Sequence, residues 1–113
     1  MKVLASEAFV TGDGDWQTVG QGVTRKILGY DDALMMVVVN FEAGAVGALH
    51  HHPHRQVTYV AAGKFEAEVD GVKRTIKAGD CFFVAPELVH GVVALEAGTL
   101  VDVFTPARED FVK

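Results

Sequence analysis

Short runs of β-branched and aromatic residues, each stopped by a turn carrying glycine or aspartate, recur along the chain from Gly22 onward. GVTRKILG, LMMVVVNF, ALHHH, QVTYVAAG, KFEAEVDG, VKRTIKAG, CFFVAP, GVVALEAG and TLVDVFTP each read as a strand of about four to eight residues. Only PAREDF suggests a helical turn. Asp70-Gly71 between two alternating runs is a hairpin signal, because the favoured two-residue turn needs positive φ. Gly44, Gly63, Gly79 and Gly98 punctuate the rest. This spacing predicts an all-β sandwich or barrel. LMMVVV is apolar on both faces, so its strand should be covered twice. An N-terminal strand packed outside the barrel would do this, and so would a second copy of the chain.

The 113 residues form one domain by length, over residues 1–113, with enough chain for a core that needs no disulfide or metal staple. Half of them are apolar, which excludes disorder. The net charge is −5 and no basic block occurs, so a nucleic-acid partner is not expected. An acidic chain that handles an acidic ligand needs local positive groups, either a metal or placed arginines. Cys81 is the one cysteine; it excludes an internal disulfide and reads as a small packing residue in a reducing compartment. MKVLASEAFV lacks a long apolar leader segment, and no apolar run approaches membrane-spanning length. The expectation is a soluble cytoplasmic protein without a membrane partner.

The chemistry concentrates in ALHHHPHRQVTYV, residues 48–60, where four histidines fall within five positions. Strand alternation puts His50 and His52 on one face and His51 on the other. Pro53 breaks the ladder, His54 falls in the loop, and the strand resumes at Gln56. Further on, GDCFFVAPELVHGV delivers His90 after a proline loop. Inside a barrel, the face bearing His50 and His52 can meet Gln56 and His90. Three imidazoles and one amide oxygen around a point would bind one divalent transition metal. His51 and His54 are left out of this set.

At these residues the chain resembles the cupins. GAVGALHHHPHRQVTYVAAG, residues 44–63, resembles the first cupin motif: Gly, five residues, His-x-His, three residues, an acid or amide, six residues, Gly. GDCFFVAPELVH, residues 79–90, resembles the second. The resemblance implies a single-domain cupin, a double-stranded β-helix or jelly-roll barrel. Gln56 stands where the family usually has Glu, Glu87 where a Gly follows the proline, and Ala94 where an Asn often follows the last histidine. RKILGYDDALMMVVVNFEAGAVG, HHHPHRQVTYV and LVDVFTPARED further resemble the KdgF family of small pectin-degradation cupins, from about Trp16 onward. The C-terminal stretch is the most specific, since general cupin motifs do not include it. That family linearises the 4,5-unsaturated monouronates left by pectin and alginate lyases: the ring opens and the enol becomes a ketone. An amide ligand leaves the metal's full charge uncancelled, which suits Lewis-acid work on an anionic, oxygen-rich substrate. Such ligation admits nickel or zinc foremost, then cobalt, iron or manganese.

In TLVDVFTPARED, Leu100, Asp102 and Phe104 share a face. Asp102 is either solvated on an outward face or turned into a polar cavity; its apolar neighbours favour the cavity. There it is the candidate general acid/base, taking the anomeric proton and delivering one to carbon. Burial would raise its pKa and a metal would lower it. Arg108 suits a substrate carboxylate, with an ion pair to Glu109 or Asp110 as the competing reading. Phe104 either lines the pocket or packs in the core. The family resemblance implicates the positions of Asp102, Phe104 and Arg108 in activity. Arg25 is a second carboxylate anchor or a solvated residue, Tyr59 points outside the barrel, and Trp16 anchors the N-terminal arm. The expected partners are an unsaturated uronate and a second copy in a homodimer. Two rivals stand beside this reading: a dioxygenase or isomerase on the same scaffold, and a non-catalytic sugar-acid binding module.

Overall fold

The computed structural model describes residues 5–112, so Met1 to Leu4 of the stretch read for a leader lie outside the described residues. The strands are β1 (Gln17–Gly20), β2 (Val23–Tyr30), β3 (Met35–Phe41), β4 (Val46–His50), β5 (Arg55–Ala62), β6 (Lys64–Val69), β7 (Val72–Lys77), β8 (Cys81–Val84), β9 (His90–Ala94) and β10 (Gly98–Thr105). A short 3-10 turn, Glu109–Phe111, follows in the segment expected to hold a turn. The strands pair antiparallel into two sheets, ordered β1-β2-β3-β10-β5-β8 and β4-β9-β6-β7. This is the all-β jelly-roll expected from the strand spacing. Asp70 and Gly71 join β6 to β7 with φ of 50° and 79°, as their two-residue turn requires. No helix among the described residues is long and apolar enough to cross a membrane.

Residues paired across a sheet point to the same side, so the pairing gives the barrel lining in layers. One layer of the large sheet is Val39, Leu100 and Val60. The next is Val37, Asp102 and Thr58, and the third is Met35, Phe104, Gln56 and Val84. The small sheet contributes Phe65, Ala67, Val92, Ala94 and His90 to the buried set. Phe41 and Phe65 meet edge to face across the sheets, with centroids 5.3 Å apart, and close one end in hydrocarbon. The polar lining residues gather at the other end.

LMMVVV resolves into two faces. Met35, Val37 and Val39 are buried, while Met36 and Val38 point outward. Met36, Val103, Val57 and Phe83 form one outer row, and Val38, Val101, Tyr59 and Cys81 another. Tyr59 thus lies outside, as alternation predicts, whereas Cys81 is exposed and not packed as its sequence context suggested. β1 was not evident from the sequence. All four of its residues are exposed, so no buried face imprints a period on them. It extends the sheet beyond β2 and does not lie over β3. Trp16, just before β1, is partly buried.

Candidate metal centre

The strand carrying the histidine run ends earlier than ALHHH suggested, at His50. Gly47 pairs with Val92 and His50 with His90, so three steps on β4 match two on β9. The extra residue is a β-bulge, and it is what turns His50 toward His90. Gly47 faces inward, against Val92 and Phe41, so unbroken alternation would have turned Leu49 inward and His50 out. Leu49 is instead exposed. Gly91 lies opposite the bulge, where a Cβ would stand 2.7 Å from the Gly47 carbonyl oxygen and 3.1 Å from the Leu49 nitrogen. The glycine makes room for the irregular strand.

A loop, not a strand, then delivers His52. His51 points away and meets Glu87, Nδ1 to Oε1 3.2 Å, where both side chains are exposed. Glu87 adopts φ of 68°, the left-handed conformation that the glycine of the cupin motif would adopt freely, and its N–H donates to the His52 carbonyl at 2.8 Å. The His52 loop is thereby tied to the loop leading into His90.

The structure brings His50, His52, Gln56 and His90 together. One nitrogen from each histidine lies within 4.8 Å of the others. His52, Gln56 and His90 are buried and His50 sits at the mouth. Each imidazole commits its Nδ1–H to a backbone carbonyl: His50 to Ala48 at 2.8 Å, His52 to His54 at 3.1 Å, His90 to Leu88 at 2.9 Å. That tautomer leaves a lone pair on each Nε2. Burial lowers the pKa of His52, and that of His90 to about 4, so neither ring carries a second proton near neutrality. Gln56 Oε1 nevertheless stands 2.9 Å from His52 Nε2 and 3.1 Å from His90 Nε2. Acceptors facing one another at hydrogen-bond distance, with no proton to share, fit a cation. The donor set, three neutral imidazoles and an amide oxygen, could hold a divalent metal.

Behind Gln56 runs a short polar chain. Gln56 Nε2 donates to Thr58 Oγ1 at 2.8 Å, and Thr58 Oγ1 donates to Asp102 Oδ1 at 2.6 Å. Gln56 Nε2 also approaches Asp102 Oδ1 at 3.5 Å. Asp102 therefore faces inward, as its Leu100 and Phe104 neighbours predicted, and its Oδ2 makes no hydrogen bond among the described residues. Burial raises its carboxyl from an ordinary 3.8 to about 6, against the opposing pull of the Thr58 hydrogen bond, the Arg108 charge and Gln56.

Phe104 is both core and lining: it is buried, and its ring lies edge-on to His52 at 5.8 Å. Arg108 stands beside it, 5.3 Å from the ring centroid, and its charge reaches His52, His90 and Asp102. Its fork is engaged by Asp110, at 3.1 Å through Nε and 3.0 Å through Nη2, which realises the competing reading of that residue. Arg25 stacks on Phe111 at 3.7 Å, on a ring that Arg108 also approaches at 4.3 Å, so the two arginines share one aromatic neighbour. His54 lies in the loop and outside the histidine cluster, as expected, but it is not a solvated residue. It packs against His52 and Phe104, and its buried Nδ1 makes no hydrogen bond among the described residues. Thr58 is a member of this polar chain that sequence reasoning missed; its position two residues after Gln56, on the same strand face, is the signal that could have found it.

Comparison with known proteins agrees with this geometry. Residues 37–104 match the model of the cupin domain family. The chain is 46% identical over 105 residues to the pectin degradation protein KdgF of Dickeya dadantii (strain 3937), covering 91% of this chain and 96% of that one. It is a KdgF-type cupin. Among solved structures, KdgF from Halomonas sp. superposes with a TM-score of 0.89 at 41% identity, covering 94% of this chain and 99% of that one. An RmlC-like cupin from Shewanella frigidimarina NCIMB 400 gives a TM-score of 0.92 at 45% identity, covering 95% and 97%.

Proposed function

We propose that this chain linearises 4,5-unsaturated monouronates from pectin or alginate breakdown, with one divalent transition metal, nickel or zinc foremost, held by His50, His52, Gln56 and His90. The observation that carries the reading is the meeting of the Gln56 amide oxygen with two imidazole lone pairs, one short polar chain away from Asp102. The likeness to KdgF supplies the substrate class. A bound metal would supply Lewis-acid polarisation of the substrate's oxygens. Asp102 takes the proton of the anomeric hydroxyl through its free oxygen. The bond from ring oxygen to anomeric carbon breaks, the anomeric carbon becomes an aldehyde, and the bond's electron pair stays on the released oxygen as an enolate. Asp102 then delivers the proton it took to the alkene carbon, and the enolate oxygen becomes the ketone. Burial raises this carboxyl to about 6 in the metal-free site and a bound cation would lower it again, which leaves Asp102 a carboxylate able to accept the anomeric proton near neutral pH. Arg108 grips the substrate carboxylate after exchanging it for that of Asp110. Phe104 lines the pocket beside His52.

The test is a time course of the substrate's ultraviolet double-bond absorbance with metal-reconstituted protein, a chelated control and Asp102→Ala. Faster loss only with metal and intact Asp102 supports the reading; three traces equal to spontaneous decay refute it. We further read residues 1–113 as one cytoplasmic cupin domain that pairs as a homodimer. The outer rows containing Met36, Val57, Tyr59 and Phe83 support the pairing, since a second copy would cover them. Sedimentation showing a monomer at micromolar concentration would refute that part.

A further inference from the structure

A glutamine ligand poses a problem that a glutamate does not. Its two ends have nearly the same shape and opposite hydrogen-bonding character. Turned about, Gln56 would aim its NH2 at the lone pairs of His52 and His90 and satisfy them without any metal. Something must hold the oxygen inward. In this structure the amide NH2 is drawn the other way, onto Thr58 Oγ1 at 2.8 Å, and Thr58 commits its only proton to Asp102 Oδ1 at 2.6 Å. Turned about, the amide would place its oxygen near the Asp102 oxygen, now 3.5 Å from Nε2, and both would compete for the single Thr58 proton. One of two buried acceptors would go without a partner. Thr58 is fully buried, in a cross-strand row with Val37 and Phe82, where valine would fit the same space. Its hydroxyl is therefore there for hydrogen bonding.

We infer that Thr58 is a positioning residue that keeps the Gln56 amide oxygen, and not its NH2, facing the three histidines. The inference rests on the metal-site reading above and deepens it. Cobalt(II) titrated against a competing chelator, with the d–d spectrum recorded, reads it without recourse to activity. Thr58→Val should weaken cobalt binding about ten- to hundredfold and change the spectrum, while Thr58→Ser should stay within about threefold of the parent. Thr58→Ala provides a second hydroxyl-free variant should valine impair folding. In a Gln56→Glu background both ends of the side chain are oxygens, so Thr58→Val should cost less than about threefold there. Parent-like affinity in both hydroxyl-free variants overturns the inference and leaves the metal site standing. An equal loss in the parent and Gln56→Glu backgrounds also overturns it, by making the hydroxyl a general structural support. Failure of the parent protein to bind cobalt overturns this inference and the metal-site reading together.

Discussion

The two ends of the barrel share β5, β9 and β10 and differ in what each of these strands points inward, with a bulge in β4 and the His52 loop added at the open end. Along β10 the inward residues run Leu100, Asp102, Phe104; along β5 they run Val60, Thr58, Gln56; along β9 they run Ala94, Val92, His90. A step or two along each strand replaces hydrocarbon with a polar group. At the closed end Phe41, Phe65, Val39, Leu100 and Val60 cluster in the core, and their burial holds the sheets together. At the open end hydrogen bonds run from imidazole to backbone carbonyl and from amide to hydroxyl to carboxylate. One end supplies stability, and the other gathers buried acceptors in an arrangement that could hold a cation. Pleating lets the two lie a few ångströms apart without a separate domain for each.

The comparison can be broken from either side. The largest effect is expected at the closed end. Phe65→Ala removes a fully buried ring and should cost about 3–5 kcal/mol in urea unfolding, while the protein that remains folded still binds metal. Next comes the open end. His90→Ala should melt as a cooperative unit yet bind metal at least about a hundredfold more weakly by chelator competition, close to about 3 kcal/mol. A loss of fold in His90→Ala, or of metal affinity in folded Phe65→Ala, would show that the ends are not separable.

Asp102 offers a third test, with the sign fixed by its shift. Its folded carboxyl, near 6, holds a proton more tightly than the unfolded one, near 3.8. The folded state is therefore favoured at low pH, and ionisation erodes that advantage as pH rises from about 4 to above 6. In the metal-free protein, Asp102→Asn should raise unfolding stability at about pH 8, by no more than about 3 kcal/mol, and leave it unchanged near pH 4. A variant less stable at the higher pH would contradict the burial penalty. The smallest effect is at the rim. Asp110→Asn weakens the clamp on the Arg108 fork and should lower KM for an unsaturated uronate about two- to threefold without raising kcat; an increased KM would mean that Asp110 orients Arg108 for its ligand.

The grouping at the open end was legible in the sequence because it is written in spacing. His50, His52, Gln56 and His90 were legible from motif intervals, and Asp102 from two apolar neighbours on the same face. The features that escaped depend on departures from regular geometry or on partners in space. A bulge carries no letter of its own, so the histidine run read as a straight strand through His52. β1 was invisible because exposed residues show no period. The embrace of Arg108 by Asp110 was the competing reading of a residue that suited a substrate carboxylate, and its choice over Glu109 is decided only in space. His54 lay beyond a proline in what read as loop, and only the packed structure folds it against Phe104.

The bulge at Ala48–Leu49 exists because Gly91 leaves a hole for it. A chain that filled that hole would have a simpler way to satisfy its backbone: straight pairing of β4 with β9. Straight pairing would put Leu49 where His50 now stands. Such a protein would be folded and cooperative, with every histidine of the cluster still present in its sequence and one of them missing in space. The cluster can be undone by a change of register at Gly91, a residue that is not part of it.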